Sequence, residues 1–350
     1  SSGVGGIAVF DNSNPVICNN IIAHNTSGYA GGIVLNWSGG IIRNNILYMN
    51  KSTRKYGSGG IMVWENGSKK VYVENNTIIG NFSATIVGGL STNKNGTSYV
   101  RNNIIRNNFQ NTGEDIELIA STIFTYNNTT RNYAGEGNLN NAPAFAESFT
   151  LSDADTSCVD KGDTSLVCRD IENTNLPGAA LSPSKGTIRN DIGAYGGPYA
   201  KAFPKYSFEN LVVNSYLNYT MNVGDTCTKK LILGNISCNP ILIDSISASS
   251  NIKLLDNPKI SNYTIQSFCF DTIDITVNPE VALDSDEELL IYHNGAELEN
   301  PFRIPLKVNF IPSAIAQSTK DQFQIFPNRY PLINNFFYNF INILFLYFGC

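Results

Sequence analysis

Charged side chains are scarce in this chain of 350 residues and make up only 15% of it. The formal net charge is −5, and the cations are scattered, with Lys51, Arg54 and Lys55 as their densest group. A nucleic-acid-binding surface needs clustered basic side chains, and so does a basic patch that binds a membrane. We therefore expect neither of these as a partner.

Metal-ligating side chains are also rare, since the chain has two His and no Cys-x-x-Cys spacing. We expect no zinc site, and no other resident metal or cofactor. The seven cysteines leave two interpretations open. Cys158 with Cys168, and Cys227 with Cys238, could each close a loop in an oxidising compartment, or most cysteines serve as small apolar side chains in strands.

An initiating Met and a signal peptide are both missing from the N-terminus, where Ser1-Ser2-Gly3 already resembles the interior of a repeat. A first coil without a cap would expose a row of unpaired backbone groups and invite association at its edge. We therefore expect further coils and a cap before residue 1, in a longer secreted protein.

A phrase of two parts recurs four times in the first third of the chain. The first part is Gly-Gly-apolar, at Gly5-Gly6-Ile7, Gly31-Gly32-Ile33, Gly59-Gly60-Ile61 and Gly88-Gly89-Leu90. The second part is apolar-x-Asn-Asn-x-apolar, at 17–22, 42–47, 73–78 and 100–105. The second glycines are 26, 28 and 29 residues apart. A repeat of that period predicts a solenoid.

Apolar residues alternate with variable ones within each unit, which indicates strands rather than helices. The first and third residues of the strand after Gly-Gly are expected to point inward and the middle one outward. The Asn pair marks a corner, because Asn tolerates the left-handed conformation. Stacked coils would place the second asparagines above one another as a ladder, at Asn20, Asn45, Asn76 and Asn103. A third asparagine closes the next strand, at Asn25, Asn50, Asn81 and Asn108.

These residues resemble the right-handed parallel β-helix repeat family, the pectate-lyase-like superfold, over about residues 1–130. The resemblance implies an all-β chain that begins with a right-handed parallel β-helix. It is unspecific for activity, because this fold carries polysaccharide lyases, hydrolases, adhesins and passive surface proteins.

Residues 131–200 are a second predicted part, in which the repeat has decayed. The phrases at 137–145, 157–163 and 189–195 resemble the choice-of-anchor type of segment that ends many secreted β-helices. Loops rich in Gly, Asp and Pro suit a cap that covers the last coil.

Residues 201–312 contain short alternating stretches with turn residues between them, which predicts an antiparallel β-sandwich. The phrases at 234–237 and 277–279 resemble the immunoglobulin-like domains of the abnormal-spindle/hydin type. This resemblance implies a spacer module of a secreted bacterial protein.

Residues 313–350 contain a polar linker and an aromatic-rich tail. The phrase at 323–328 resembles the start of the type 9 secretion sorting domain. Arg329 stands where that motif has Pro, and the strands that should follow are missing. Asn residues in the tail make a poor membrane span, so a truncated end is favoured over an apolar anchor.

Residues suited to catalysis are few in the repeats. The outward positions of the first strands are uncharged, and the acidic residues of the first 110 positions are Asp11, Glu65 and Glu74. A lyase needs acidic calcium ligands and an Arg or Lys base, and a hydrolase needs a carboxylate pair. Asp11 and Glu65 follow the Gly-Gly strand two coils apart, and nothing else supports them as a pair. We therefore assign no catalytic residue.

Five residues are candidates for contact with a glycan. Trp37 and Trp64 lie near the outward face of the first strands, where aromatic rings can stack on sugars. Lys51, Arg54 and Lys55 flank the third unit and could attract an acidic glycan. In the alternative interpretation the rings cover loops and the cations solvate turns.

Two hypotheses about function follow from these observations. In the first, the chain is a secreted, cell-surface β-helix with a structural, adhesive or glycan-contacting role and no catalysis. In the second, it is the C-terminal part of a polysaccharide lyase or glycoside hydrolase whose active coils lie upstream. Calcium is expected only for a lyase.

Overall fold

The computed structural model of the protein describes residues 3–54, 57–92, 95–110, 115–204, 211–213, 217–222, 224–248, 252–254, 261–279, 287–295 and 299–310. Within these ranges the regular structure is strand, apart from two 3₁₀ turns at Glu147–Phe149 and Leu166–Cys168. The predicted all-β class is confirmed. The candidate sorting motif at 323–328 lies outside the described residues.

Residues 7–129 form a parallel β-solenoid of about four turns, whose strands belong in turn to four sheets. The first sheet contains Ile7–Val9, Ile33–Asn36, Ile61–Glu65, Leu90–Thr92 and Ile116–Leu118. The second contains Val16–Cys18, Gly40–Arg43, Lys70–Glu74, Thr97–Arg101 and Thr122–Thr125. The third contains Ile21–Ala23, Ile46–Tyr48, Thr77–Ile79, Ile104–Arg106 and Asn128–Thr129. The fourth contains Thr26–Ser27, Lys51–Ser52, Phe82–Ser83 and Phe109–Gln110.

The interior of the solenoid is filled by aliphatic side chains from the positions that alternation predicted. Its fully buried members include Ile33, Leu35, Ile42, Leu47, Ile61, Val73, Ile78 and Ile105. A Cβ added to Gly60 would lie 2.5 Å from the backbone oxygen of Gly89 and 2.9 Å from Cγ2 of Ile78. The Gly-Gly step is therefore needed because the backbones of successive coils approach too closely there for a side chain.

The second asparagine of each pair lies inside the corner, where the side chains form a continuous ladder. Asn76 Nδ2 donates to Asn103 Oδ1 at 2.9 Å, and Asn45 Nδ2 donates to Asn76 Oδ1 at 3.0 Å. Asn76 Nδ2 also donates to the backbone oxygen of Ile42 in the preceding coil, at 2.9 Å. The ladder continues to Asn20 at one end and to Asn127 at the other. The predicted stacking of these amides is confirmed.

The third asparagine of each coil builds a parallel ladder of its own. Asn50 Nδ2 donates to Asn81 Oδ1, and Asn81 Nδ2 donates to Asn108 Oδ1, each at 2.9 Å. The ladder ends at the carboxylate of Asp115, which accepts from the backbone N–H of Asn108 at 3.2 Å and from Thr130 Oγ1 at 2.8 Å. A carboxylate suits this end because its oxygens only accept hydrogen bonds, so it has no donor that would need a partner in a further coil.

The first asparagine of each pair has the left-handed backbone conformation, with φ of 56°, 52°, 51° and 57° at Asn19, Asn44, Asn75 and Asn102. At Asn44, Asn75 and Asn102 this side chain binds the backbone of residues 160–199, which we call the return segment. Asn75 Nδ2 donates to the oxygen of Asp191 at 2.8 Å, and Asn44 Nδ2 donates to the oxygen of Ala194 at 3.0 Å. The return segment therefore runs back along this corner, from later coils towards earlier ones.

Residues 133–139 follow directly on the last coil. The backbone N–H of Asn127 donates to Asn138 Oδ1 at 2.9 Å, which adds one more amide to the ladder. Asn138 Nδ2 then donates to the oxygen of Phe124 at 3.0 Å, and Leu139 pairs with Asn128 in a parallel bridge. Residues 131–200, predicted as a cap, thus both follow the last coil and return along the asparagine corner.

The described residues between 211 and 310 form two sheets that share one hydrophobic cluster, and we call them the two-sheet region. One sheet contains, in spatial order, Leu211–Val213, Cys227–Asn235, Phe270–Pro279 and Ile252–Leu254. The other contains Leu217–Met221, Phe302–Phe310, Glu287–His293, Ile241–Ala248 and Ser261–Ile265. All described pairings are antiparallel except that of Leu217–Met221 with Phe302–Phe310. The shared cluster includes Leu231, Ile243, Ile275 and Ile291.

Replacement of Asn76 by Ala is expected to destabilise the solenoid, because this buried amide bonds to both ladder neighbours and to backbone. Each buried group left unpaired costs about 1–3 kcal/mol, so the free energy of unfolding should fall by more than about 2 kcal/mol. Urea titration followed by tryptophan fluorescence measures this loss. Asn20→Ala, at the exposed end of the same ladder, is the control and should cost less than half as much. Equal losses of unfolding free energy in the two variants would contradict the conclusion that the buried interior of the ladder stabilises the solenoid more than its exposed end.

Candidate functional site

The four solenoid sheets differ in what lies against their outer faces. On the first sheet, the outward side chains of Val34 and Met62 are buried against Ala30. On the third sheet, Ile46 and Ile79 are buried in a cluster with Phe149, Ala194 and Tyr195 from the following segment. The outer face of the second sheet instead remains partly exposed along its whole length. This face is the candidate site.

A row of large apolar side chains crosses that face, one from each strand. Its members are in register and comprise Val16, Ile41, Tyr72, Tyr99 and Ile123, which we call the apolar row. Tyr72 and Tyr99 stack with their ring centroids 4.9 Å apart and their planes 12° apart. The end members Val16 and Ile123 are 53% and 47% exposed. Since neighbouring strands are about 4.8 Å apart, five strands make a row about 19 Å long.

Charged side chains flank the apolar row on both sides. Lys70, which precedes Tyr72 on the same strand face, places its ammonium 5.9 Å from the centroid of the Tyr99 ring. On the other side Arg101 is paired with Glu74 at 2.8 Å and with Asp163 of the return segment at 3.1 Å. The two carboxylates therefore hold Arg101 in place, whereas Lys70 extends into solvent.

A cleft lies where this sheet meets the return segment. It is lined by Arg43, Asn44, Glu74, Asn75, Arg101, Val167, Cys168, Pro198 and Tyr199. The guanidinium carbon of Arg43 lies 3.4 Å from the centroid of the Tyr199 ring. Arg43 Nε is buried and has no hydrogen-bond partner among the described residues. The cleft therefore places a partly exposed guanidinium group and an exposed aromatic ring beside the apolar row.

Of the two predicted tryptophans, Trp64 lies in the first sheet and Trp37 lies in the turn between the first and second sheets. Trp37 directly follows the strand Ile33–Asn36, is 55% exposed and has a left-handed φ of 55°. Trp64 is the extra residue of a bulge, since Leu35 pairs with Val63 and Asn36 pairs with Glu65. Its ring is half-buried and packs on the cluster that contains Val34 and Met62.

The predicted cations lie at the fourth sheet. Lys51 is 8% exposed, its ammonium lies 5.2 Å from the centroid of the Phe82 ring, and burial lowers its pKa to about 8. Arg54 is exposed, and its backbone oxygen accepts from Thr85 Oγ1 at 2.9 Å. Lys55 lies outside the described residues. The structure therefore does not bring the aromatic and basic candidates together on one sheet, and their glycan contact stays a prediction.

The apolar row was not predicted from the sequence, because only the outward positions of the first strands were considered as candidates for a site. The signal was present in the second strands. Ile41, Tyr72, Tyr99 and Ile123 each stand two residues before a charged or polar outward position and three or four before an asparagine. From the sequence alone, a column of large apolar residues at outward positions is compatible with an exposed apolar surface and with one that other parts of the chain cover. The structure shows that this column is partly exposed.

The acidic residues of the repeats form no visible catalytic pair. Asp11 is exposed at a left-handed corner, and Glu65 is buried at the end of its strand. Glu74 is engaged by Arg101, as described above. No group of three or more potential metal ligands occurs within the described ranges. In the same ranges, no helix has the length and apolarity that a membrane crossing requires.

Two buried carboxyl groups lie in the return segment. Burial and the nearby Asp191 raise the pKa of Asp170 to about 8, and burial raises the pKa of Asp191 to about 7. Such shifts can mark a catalytic acid. Here, however, Asp191 accepts the backbone N–H groups of Asp160 and Lys185 at 2.8 and 2.7 Å, and Asp170 accepts those of Asp191 and Gly197. Both carboxyl groups therefore organise the loops.

The cysteines of the two predicted loop closures are all free thiols in this structure. Cys158 and Cys168 are buried, Cys227 is half-buried and Cys238 is exposed. Cys158 lies in an apolar cluster with Ile104, Leu151 and Ile192, and burial raises the pKa of its thiol well above the usual value. This environment corresponds to the interpretation of cysteine as a small apolar side chain.

The fold defines the class of the protein as all-β with a parallel β-solenoid. Comparison with known proteins does not assign the chain to a family within this class. No protein-family model and no curated protein matches the chain. A solved structure of the VesB protease of Vibrio cholerae is similar at 11% identity and a TM-score of 0.22, over 29% of this chain and 31% of that one. A protein of unknown function from Porphyromonas gingivalis W83 is similar at 14% identity and a TM-score of 0.24, over 37% and 60%.

The ASH/PapD-like domain of human CEP192 is similar at 14% identity and a TM-score of 0.21, over 33% of this chain and 94% of that domain. The chain thus spans less than two thirds of the VesB and Porphyromonas gingivalis structures that it matches. At these TM-scores and identities the comparisons carry no argument about function.

The raised pKa values predict a pH dependence of stability. Because the folded protein binds protons on Asp170 and Asp191 more tightly than the unfolded chain, whose Asp pKa is near 3.8, the free energy of unfolding should fall as pH rises from about 4 to about 8. Urea titrations across this range measure the slope. In the variant Asp170→Asn, residue 170 cannot ionise, so its unfolding free energy should depend less steeply on pH than that of the parent, whatever its absolute stability. A parent protein that becomes more stable over this range would contradict the assignment.

Proposed function

We propose that the chain is a non-catalytic module of a secreted, cell-surface protein and that it contacts a glycan with the outer face of its second solenoid sheet. The observation that carries this proposal is the apolar row, which stays partly exposed while the outer faces of the first and third sheets are covered. An exposed apolar surface of this kind is typical of an interaction site.

The chemistry of the row favours a sugar ligand. One face of a pyranose ring is lined with C–H groups, which pack on the face or edge of an aromatic ring, while hydroxyl groups remain free for polar contacts. Tyr72 and Tyr99 offer ring surface and phenolic hydroxyls together. Lys70 on one side and the Arg43–Tyr199 pair on the other place donors where sugar oxygens would lie. The length of the row, about 19 Å, suits several linked sugar units rather than one.

The absence of catalysis in this proposal is supported by the state of the nearby carboxylates. Glu74, which borders the row, is engaged by Arg101, and Asp163 binds the same guanidinium. A hydrolase needs one carboxyl group free to give a proton and another to act on the opposite side of the sugar. The enzyme alternative, with active coils upstream, stays a prediction.

In this proposal the other parts of the chain are structural modules that stabilise and position the solenoid. We infer that residues 131–200 correspond to a choice-of-anchor type of terminal segment and that the two-sheet region is an immunoglobulin-like module of the abnormal-spindle/hydin type. Its two sheets around one cluster support that assignment. The sorting motif at 323–328 and surface attachment by the type 9 secretion route belong to the same proposal.

The proposal predicts that the double variant Tyr72→Ala/Tyr99→Ala loses glycan binding. The parent protein is titrated with xylan, β-glucan, polygalacturonate and hyaluronate by calorimetry, and the polysaccharide that binds is then used with the variant. We expect affinity to fall at least about tenfold, because two stacking surfaces are removed.

Tyr292→Ala is the matched control, since this tyrosine is also partly exposed but lies in the two-sheet region. It should bind as the parent does. A parent protein that binds none of the polysaccharides, or a double variant that binds as tightly as the parent, would remove the glycan from the proposal and leave a structural module.

A further inference from the structure

The two-sheet region contacts the solenoid side of the molecule through one of its ends. Ile236 follows the strand Cys227–Asn235, and Phe268 and Phe270 lie where the strand Phe270–Pro279 begins. We call these three residues the clasp. Ile236 is buried, and both rings pack partly buried on the cluster that includes Tyr48 and Ile79 of the third solenoid sheet.

Phe268 reaches the third sheet through an intermediate layer. Its ring centroid lies 5.4 Å from that of Phe145 and 5.8 Å from that of Phe149. Phe149 is fully buried, and its own centroid lies 5.8 Å from that of Tyr48 in the solenoid. Aromatic side chains therefore form a continuous chain of contacts from the two-sheet region through residues 145–149 to the solenoid.

Phe270 touches the solenoid directly at the corner between the third and fourth sheets. Its ring centroid lies 5.6 Å from that of Phe109, and a Cβ added to Gly80 would lie 2.9 Å from its Cε1 and Cζ atoms. The equivalent corner positions of the other coils carry side chains in the same left-handed conformation, at His24, Met49 and Asn107. A side chain at position 80 would therefore displace the ring of Phe270, whereas the corner itself accepts a side chain in the other coils.

The clasp is held in shape by hydrogen bonds within the two-sheet region. The backbone N–H of Asn235 donates to the oxygen of Cys269 at 2.9 Å, and its side chain donates to the oxygen of Ile265 at 3.1 Å. Ser267 Oγ donates to the oxygen of Cys238 at 2.7 Å. These bonds tie together the two loops that carry Ile236 and Phe268, so both side chains are presented in a fixed arrangement.

We propose that the clasp couples the two-sheet region to the solenoid as one rigid and cooperatively unfolding body, and that the region acts as a fixed arm and not as a flexible spacer. Domains joined by small polar interfaces move relative to each other, whereas a well-packed apolar interface prevents this motion. The two partly buried rings of the clasp and the buried Ile236 supply an apolar interface of this kind, which Phe145, Phe149 and Tyr48 extend into the solenoid. Because the clasp grips the third and fourth sheets, it leaves the apolar row of the second sheet open.

The test uses the fact that Trp37 and Trp64, the two tryptophans of the chain, both belong to the solenoid. Tryptophan fluorescence in urea therefore reports the solenoid alone. Phe270→Ala changes only the two-sheet region, yet coupling predicts that it lowers the urea midpoint of the fluorescence transition by about 0.5 M or more. Thr276→Ala, at a half-buried position of the same strand outside the clasp, removes only a hydroxyl contact with Thr228 in the same sheet and should leave this midpoint in place.

A second pair of variants tests the fit at the corner from the solenoid side. Gly80→Ala and Gly67→Ala both place Ala at a left-handed φ, of 66° and 58°, but only position 80 faces Phe270, while a Cβ at position 67 meets nothing within 4 Å. Small-angle scattering of the full chain should show a larger radius of gyration for Gly80→Ala than for Gly67→Ala. A fluorescence midpoint unmoved by Phe270→Ala, or equal radii for the two glycine variants, would overturn the coupling.

Discussion

The in-register stacking of asparagine side chains is the constraint on which the rest of this molecule depends. Asn45, Asn76 and Asn103 of the inner ladder each donate to the amide of the next coil and to the backbone of the preceding one. A coil therefore cannot shift by one residue without leaving buried groups unpaired. Because strand register is fixed in this way, the faces of all four sheets are fixed with it. The apolar interior and the outward rows are both consequences of that register.

The two asparagines of each pair have different roles at the corner: the first binds the return segment and the second binds the neighbouring coils. The left-handed conformation of the first asparagine turns its side chain outward, where Asn44 and Asn75 bind the carbonyl groups of the return segment. The second asparagine stays inside and continues the ladder. The same short phrase therefore stacks the coils and supplies the outer surface with a regular set of amides to which a non-repetitive segment binds.

Most of the solenoid could be predicted from the sequence, because its signals are periodic and local. The Gly-Gly step, the inward columns and the asparagine corner are confirmed. What could not be predicted is which outward positions remain exposed. Val34 and Met62 have the same alternation as Ile41 and Tyr72, and their burial depends on chain that packs over them from elsewhere. The burial of Lys51 and the separation of the predicted tryptophans and cations between sheets are likewise properties of packing, which no residue spacing reveals.

The covered and open faces of the solenoid also differ in chemistry, and this difference argues that the open face is a site. The outward positions of the third sheet include Ile46 and Ile79, which have no polar atoms in their side chains and are enclosed by the segment that follows the coils. The central positions of the second sheet are instead tyrosines, which tolerate water at the hydroxyl while offering an apolar ring. If this face were normally covered by apolar side chains, as the third sheet is, the tyrosine hydroxyl groups would need buried polar partners, so their presence suits a face that is exposed to water. The clasp lies against the third and fourth sheets, and the return segment meets the second sheet only beside Arg43, Glu74 and Arg101, so the apolar row itself stays uncovered.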